Sequence, residues 1–291
     1  MITGSLVALV TPMRSDGGID DSCFQRLIDQ QIEAGTAGLV IAGTTGESAT
    51  LEKSEHINLI RMAVEHAAGR IPIIAGTGSN ATRQTIDLSL AVGRLPIDGY
   101  LVVVPYYNKP GQEGLFQHFV AIADAVDKPV MLYNVPGRTA ADMLPETVIR
   151  LAAHERITGI KEATGDLSRI PVLRDGCGSA FGLYSGDDAT CREFMLQGGN
   201  GVVSVTSNVA PRQMADMCTA ALAGDAASAA EIDSRLADLH RDLFVESNPI
   251  PVKWAMQRQG LIPEGIRLPL TPLATEYHSI VAAALQRADV L

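Results

Sequence analysis

The sequence predicts a (β/α)8 barrel followed by a C-terminal helical appendage, and three observations support this fold class. Eight short runs rich in Val, Ile and Leu recur along residues 6–208, each followed by a polar or Gly-rich turn. Such nearly continuous apolar runs are typical of parallel strands buried on both faces. Helical patterns lie between the runs, and after residue 225 only helical patterns remain. A doubly wound sheet could use the same alternation, but eight near-equal units favour a closed barrel.

The eight predicted strands follow one another without a long linker. With their turns they are LVALVTPM (6–13), GLVIAGTTGE (38–47), IPIIAGTGSN (71–80), YLVVVPYYN (100–108), PVMLYNVPG (129–137), ITGIKEATG (157–165), FGLYSGDD (181–188) and GVVSVTSN (201–208). The segments between them supply the helices of a barrel.

Three of the intervening helices are clear from apolar spacing and stop signals. In residues 21–34 and 53–68 the apolar side chains recur on one helical face, and Gly35 and Gly69 end the two patterns. Residues 211–223 begin with Pro211 and stop at Gly224. We therefore predict a barrel carrying the active site over residues 1–224.

The rest of the chain, residues 225–291, predicts a helical segment packed on the barrel. Residues 225–245 and 274–288 are Ala- and Leu-rich amphipathic stretches, and a shorter one covers 251–259. No strand pattern interrupts them.

Composition excludes several classes of protein. Of the 291 residues, 46% are hydrophobic and 19% charged, as in globular proteins, and the net charge is −10. An acidic chain argues against nucleic acid or an anionic membrane as the main partner. The four cysteines form no CxxC pair, which argues against a disulfide framework or zinc site. We expect no metal and a cytoplasmic location, with the short apolar N-terminus forming the first strand instead of a signal peptide.

The strand ends hold the candidates for chemistry, because barrel enzymes place their active sites at the C-terminal ends of the strands. These candidates are Thr44, Thr45, Tyr106, Tyr107, Tyr133, Arg138, Lys161, Gly186, Asp187 and Asp188. A lysine directed into the mouth would be partly desolvated, which favours a free amine able to attack a carbonyl. From spacing alone, Lys161 is either such a nucleophile or a rim charge, solvated or paired with Glu162.

The neighbouring candidates have similar pairs of interpretations. Tyr133 is either a proton relay for imine chemistry or a packing aromatic. Arg138, after a Pro-Gly turn, either binds a substrate carboxylate in bidentate fashion or forms a rim salt bridge. Thr44 and Thr45 lie on a Gly-flanked turn that could cradle a carboxylate. The adjacent acids Asp187 and Asp188, with no matching histidines, are more typical of a helix cap than of a metal site.

The segments GTTGESATL, PYYNKP, YNVPGRT, GIKEATGD, YSGDD and ESNPIPVKWA resemble dihydrodipicolinate synthases, members of the Schiff-base-forming class I aldolase and lyase superfamily. The similarity covers essentially the whole chain. It implies an enzyme of lysine biosynthesis that condenses pyruvate with L-aspartate 4-semialdehyde, with an imine on Lys161 and no cofactor.

The resemblance also implies roles for individual residues. Thr44, Tyr133 and the partner subunit's Tyr107 would form a proton relay, so self-association, as a tetramer made of two dimers, would be functional. Thr45 and the Thr44 turn would hold the pyruvate carboxylate, and Arg138 the semialdehyde carboxylate. Gly186 and Val203 would line the pocket.

A site for lysine as feedback inhibitor is implied at seven positions: Ser48, Ala49, Lys53, His56, Asn80, Gln84 and Tyr106. Lys53 and Gln84 depart from inhibited members, which often carry His and Glu there. A like charge beside a cationic effector and a lost carboxylate both weaken binding. We therefore predict weak or absent feedback by lysine.

Two rival functions remain. N-acetylneuraminate lyase and the 2-keto-3-deoxy-sugar acid aldolases share the imine lysine and tyrosine, but their polyol substrates do not need Arg138. A non-catalytic barrel that binds a keto acid is the other, although the intact set of catalytic candidates argues against it.

Overall fold

The computed structural model describes residues 1–291, and its eight parallel strands close into a barrel. The strands are β1 (Gly4–Ala8), β2 (Gly38–Ile41), β3 (Ile73–Gly76), β4 (Gly99–Val103), β5 (Val130–Asn134), β6 (Ile157–Glu162), β7 (Gly182–Ser185) and β8 (Gly201–Ser204). Each lies in or overlaps its predicted run. β8 pairs with β1, Val203 opposite Leu6, so the predicted closure is confirmed and the doubly wound sheet is wrong.

Twelve α-helices surround and extend the barrel. They are α1 (Asp21–Glu33), α2 (Lys53–Ala67), α3 (Thr82–Gly93), α4 (Gln112–Ala125), α5 (Pro136–Thr139), α6 (Pro145–Ala152), α7 (Arg169–Cys177), α8 (Cys191–Leu196), α9 (Pro211–Leu222), α10 (Ala226–Asp242), α11 (Ile250–Arg258) and α12 (His278–Arg287). Each strand is therefore followed by one helix, except that two helices, α5 and α6, follow β5, and only helices come after α9.

Local signals set the helix ends near their predicted positions. The Asp20 carboxylate accepts a hydrogen bond from the Cys23 N–H and caps α1. Glu52 and Glu55 form a reciprocal capping box at the start of α2. Gly35 and Gly69, both with positive φ, follow the ends of these two helices as expected of C-terminal stops.

Alternation along the strands separates two apolar cores. A small cluster fills the barrel interior: Leu6, Ala8, Val40, Ile74, Leu101, Met131, Tyr133, Val135, Tyr184 and Val203. A much larger cluster lies between the outer face of the barrel and the helices. A side chain at a strand's carboxyl end therefore points either into the mouth or into the helix layer, according to its place in the alternation.

The C-terminal segment packs on the barrel through α10, which lies against α9, and through α12, which lies against α10. α9 ends at Leu222 and α10 begins at Ala226, on either side of the predicted division between residues 224 and 225. That division stays a prediction. All four cysteines are free, and no helix combines the length and apolar character needed to cross a bilayer.

Candidate active site

A cavity of about 130 Å³ opens at the carboxyl ends of the strands and contains seven of the ten strand-end candidates. These are Thr44, Thr45, Tyr133, Arg138, Lys161, Gly186 and Asp187. A larger cavity of about 320 Å³ lies elsewhere, lined by residues such as Pro72, Asp98 and Pro129 from the loops that precede the strands. It has no nucleophile beside a base, so the smaller cavity is the candidate for chemistry.

Lys161 points into the barrel mouth and is only 5% exposed. Its neighbour Glu162 points the opposite way, because successive strand residues face opposite sides. The Glu162 carboxylate instead accepts a hydrogen bond from Asn134 and lies 3.5 Å from the Arg169 guanidinium. Pairing of Lys161 with Glu162 is therefore wrong, as is a solvated rim charge. The Lys161 amine has no hydrogen-bonded or ionic partner within the chain.

Tyr133 lies beside Lys161, since the two residues are opposite each other in the β5–β6 register. The Lys161 Nζ atom is 4.3 Å from the centre of the Tyr133 ring. The ring face therefore lies against the end of the lysine arm, next to its amine. Tyr133 also belongs to the interior apolar cluster, so the packing interpretation is correct for its ring. Its hydroxyl forms no hydrogen bond within the chain.

Gly186, directly after β7, leaves room for the lysine arm. A Cβ atom at this position would lie 2.6 Å from the Ala163 Cβ and 2.9 Å from the Lys161 Cε. Both distances are shorter than carbon atoms tolerate without movement. Glycine is therefore required here by close approach, consistent with a pocket-lining position.

The Thr44–Thr45 turn follows β2 and is closed by backbone hydrogen bonds from Gly46 N–H to Gly43 and from Glu47 N–H to Thr44. Thr45 is buried, and its hydroxyl accepts a hydrogen bond from the Asn248 side-chain amide at 2.9 Å. An occupied acceptor side leaves the Thr45 hydroxyl hydrogen available to donate to a ligand. Such a donor suits a carboxylate.

Arg138 lies at the rim of the cavity, on the short helix α5. The Pro-Gly turn predicted there is wrong, because Pro136 occupies the first position of a helical turn, where its fixed φ fits. The guanidinium donates to the Asn248 carbonyl at 3.3 Å and forms no ion pair, so the rim salt bridge is also wrong. Its remaining donors are available to an anion.

Tyr107 and Val203 do not line the cavity. Tyr107 is 88% exposed and has a positive φ of 73°. Nothing in this chain covers its side chain. Val203 is 1% exposed and packs within the barrel interior. Both assigned roles stay predictions, and that of Tyr107 requires a second subunit.

The two acids after β7 form hydrogen bonds with different parts of the chain. Asp187 accepts hydrogen bonds from the N–H and hydroxyl of Thr190, which precedes α8, and also lines the cavity. Asp188 accepts from the backbone N–H groups of Val205 and Thr206, which ties the β7 loop to the β8 loop. The N-cap residue of α8 is Thr190 and the helix has no side-chain cap, so the expected helix cap is wrong for both acids. No group of three or more metal-ligating side chains is present.

None of the residues predicted for lysine feedback lines the active-site cavity. Ser48 and Ala49 lie on a 3-10 turn after β2, and Lys53 is exposed at the start of α2. His56 is buried with its Nε2 atom 2.7 Å from the Gly76 carbonyl, and burial lowers its pKa. Around β3 and β4, Gln84 accepts a hydrogen bond from Ser79, the Asn80 carbonyl accepts one from Asn108, and Tyr106 is exposed.

Two residues of the C-terminal segment line the cavity without having been predicted: Phe244 and Asn248. Lys253, in the same segment, does not line the cavity but forms a buried ion pair with Glu47, two residues after Thr45. Asn248 and Lys253 lie in the segment ESNPIPVKWA, but nothing in it indicates that their partners are some 200 residues away.

Comparison with known proteins agrees with this geometry. A family model described as the dihydrodipicolinate synthetase family matches residues 1–288. The chain is 59% identical, over the full length of both, to 4-hydroxy-tetrahydrodipicolinate synthase of Methylococcus capsulatus. Among solved structures it is similar to the chloride-inhibited dihydrodipicolinate synthase of Acinetobacter baumannii complexed with pyruvate, with a TM-score of 0.98, 50% identity and full coverage of both chains.

A monomeric dihydrodipicolinate synthase variant is also similar, at 40% identity and a TM-score of 0.97, covering 100% of this chain and 98% of the other. A matching family model, full-length relatives and a shared closed barrel lead to one conclusion. The chain belongs to the dihydrodipicolinate synthetase family.

Proposed function

We propose that this chain condenses pyruvate with L-aspartate 4-semialdehyde and forms 4-hydroxy-tetrahydrodipicolinate through an imine on Lys161. The observation that carries the proposal is the unpaired, buried Lys161 amine in a cavity at the carboxyl end of a closed barrel. The relative from Methylococcus capsulatus carries the name of this activity over its full length.

The first half of the reaction uses Lys161 as nucleophile. Its neutral amine adds to the C2 carbonyl of pyruvate, and protonation of the resulting hydroxyl releases water to leave an iminium. Loss of a methyl proton then moves the C–H electron pair toward the iminium nitrogen and gives an enamine. Because the iminium accepts these electrons, the proposal needs no cofactor.

The second half forms the ring. The enamine carbon attacks the aldehyde of the semialdehyde, and the new alkoxide takes a proton. The amino group of the semialdehyde then adds to C2 and expels the Lys161 amine, which regenerates the enzyme. Each addition and elimination moves a proton, so a relay is required.

We assign this relay to Thr44, Tyr133 and the partner subunit's Tyr107. The Tyr133 ring beside Lys161 Nζ supports its part, and the high exposure of Tyr107 in a single chain supports a contribution across an interface. Function as a homotetramer made of two dimers, and a cytoplasmic location, belong to the same proposal.

We assign the carboxylates of the two substrates to two different elements of the chain. Thr45, with its acceptor side occupied by Asn248, would donate to the pyruvate carboxylate together with the backbone of the Thr44 turn. Arg138 at the rim would bind the carboxylate of the semialdehyde. The two carboxylates would thus be bound by different elements around one cavity.

Borohydride trapping with pyruvate tests the proposal. Reduction should increase the mass of the chain by one reduced pyruvate adduct, located on Lys161 by peptide mapping. The matched control is Lys161→Arg, which keeps a cation but no nucleophilic amine, and should give no adduct. Absence of an adduct in the parent chain, or an adduct that survives Lys161→Arg, would disprove the imine mechanism and favour a keto-acid-binding barrel.

Substrate choice is tested separately by supplying pyruvate with the semialdehyde or with sugar aldehydes. We expect turnover with the semialdehyde only, and Arg138→Met should raise the KM for the semialdehyde more than that for pyruvate. Comparable turnover of a sugar aldehyde would favour the sugar acid aldolases.

A further inference from the structure

A buried ion pair lies close to the Thr44–Thr45 turn, and its cation belongs to the C-terminal segment. The Glu47 side chain has no exposed surface, and Lys253 on α11 is 5% exposed. Their Oε1 and Nζ atoms are in direct contact. Two charges removed from water in this way are costly unless each is well paired.

The second oxygen of Glu47 is also occupied. Its Oε2 atom accepts a hydrogen bond from the backbone N–H of Arg267 at 3.1 Å. The Arg267 side chain in turn binds both oxygens of Glu55 at 2.6 and 2.7 Å and the Thr50 carbonyl at 2.8 Å. The Glu47 carboxylate is thereby fixed at both ends by residues more than 200 positions away.

Glu47 connects directly to the predicted pyruvate turn. Its N–H donates to the Thr44 carbonyl, and its backbone has a left-handed conformation with φ of 58°. A non-glycine residue persists in this conformation when the surrounding contacts fix it. The side-chain ion pair supplies such contacts two residues after Thr45.

Neither residue lines the cavity, and neither is assigned a part in the chemistry. We propose that the Glu47–Lys253 ion pair is a positioning device that holds the Thr44–Thr45 turn in the geometry needed to bind the carboxylate of pyruvate. This inference rests on the proposed function, because it concerns the same turn and the same substrate.

The test separates positioning from simple stability. Glu47→Gln and Lys253→Met each leave one buried charge unpaired, so both should lower Tm as well as pyruvate binding. The double variant Glu47→Gln/Lys253→Met leaves no unpaired charge and should recover most of the lost Tm. Its KM for pyruvate should nevertheless stay at least about tenfold above the parent, the effect of losing one hydrogen bond to a charged group.

Two measurements accompany it. The KM for the semialdehyde should change less than about twofold, because Arg138 lies on a different element. Borohydride trapping at saturating pyruvate should approach the parent rate, since Lys161 is untouched. If the pair positions the turn, the double variant therefore combines a largely recovered Tm with a raised KM for pyruvate. If the pair only adds stability, both quantities return toward those of the parent.

The matched control is Asp233→Asn, which removes the ion pair between Arg192 on α8 and Asp233 on α10. It weakens another contact between barrel and C-terminal segment, and should leave the KM for pyruvate unchanged. Should the double variant fail to fold, Glu47→Asp decides the question. It keeps the charge and tolerates a left-handed backbone, but withdraws the carboxylate by one methylene. We expect the same selective rise in the KM for pyruvate.

A folded double variant, or a folded Glu47→Asp variant, with the parent's KM for pyruvate would overturn the inference and leave the pair a stability element. A parent chain that forms no pyruvate adduct would instead disprove the proposed function.

Discussion

Lys161 Nζ lies 4.3 Å from the centre of the Tyr133 ring, and the two residues are direct neighbours across strands β5 and β6. This arrangement gives Tyr133 two separable features, a ring face that guides the lysine arm and a hydroxyl that is free within the chain. The two features can be removed one at a time.

Tyr133→Phe should therefore leave pyruvate binding nearly intact while lowering kcat by about 100-fold, the usual contribution of one proton-transfer group. Tyr133→Leu removes the ring as well, and should also slow adduct formation with pyruvate. Steady-state kinetics and borohydride trapping on both variants check this. Equal kcat for Tyr133→Phe and the parent would exclude the hydroxyl from the relay.

Gly186→Ala should displace the lysine arm, because the new Cβ would lie 2.9 Å from the Lys161 Cε. We expect adduct formation to fall by about 100-fold, as displacement of a reacting group by about 1 Å commonly does. Gly137→Ala is the matched control, since its added Cβ would meet no atom within 4 Å. A parent-like trapping rate in Gly186→Ala would show that the arm has more room than its contacts indicate.

Mixed oligomers test whether Tyr107 acts across an interface. Lys161→Ala and Tyr107→Phe subunits should each have low activity alone. After mixing and subunit exchange, a mixed dimer has one site with both changes and one site with neither, so each mixed dimer should have as much as half the activity of a parent dimer. In a random one-to-one mixture about half of the dimers are mixed, so total activity should recover to roughly a quarter of that of the parent. No recovery despite proven subunit exchange would place the Tyr107 function within one chain or nowhere.

Feedback by lysine should be weak or absent, since Lys53 places a like charge near the effector and Gln84 supplies no carboxylate. Lys53 is exposed and forms no ion pair within the chain that would neutralise its charge, and Gln84 is an uncharged amide that accepts a hydrogen bond from Ser79. Initial rates across a lysine titration provide the measurement, with Lys53→His/Gln84→Glu as the variant expected to gain sensitivity. Inhibition of the parent at sub-millimolar lysine would contradict this prediction.

His118 should make stability fall on mild acidification. Its ring is buried on α4, with Nδ1 2.9 Å from the Thr82 hydroxyl and Nε2 unpartnered, and burial lowers its pKa to about 4. As pH falls from about 6.5 to about 4, the unfolded chain gains a proton there that the folded chain does not, so stability is lost across this window. The loss amounts to at most about 3 kcal/mol.

His118→Leu should flatten the dependence of unfolding free energy on pH in denaturant titrations, and an identical slope in both proteins would contradict the assignment.

The barrel and the line of site residues at its mouth could be predicted because both follow from local patterns. Val- and Ile-rich runs specify strands, and the ends of parallel strands necessarily meet at one edge of a closed sheet. The inward direction of Lys161 was undecidable from spacing, because a one-residue shift along β6 would have exchanged its place with that of Glu162.

The contributions of Asn248 and Lys253 were not predictable for a different reason. Each is unremarkable in its own stretch of sequence, and its meaning depends on a partner in the turn after β2. Only the packing of the C-terminal segment on the barrel brings these groups together. For Arg138, the predicted position at the barrel mouth is correct, but the segment before it forms a helical turn instead of the predicted Pro-Gly turn.

The hydrogen bond from Asn248 to Thr45 and the contact between Lys253 and Glu47 join positions 203 and 206 residues apart. On the ribosome, the whole barrel is therefore synthesised before the groups that we propose to fix the pyruvate-binding turn have been made. A nascent chain can close its sheet and present Lys161 while the turn beside it is still unsecured. Competence for catalysis thus arrives with one of the last segments of the chain to be translated, later than the fold that carries it.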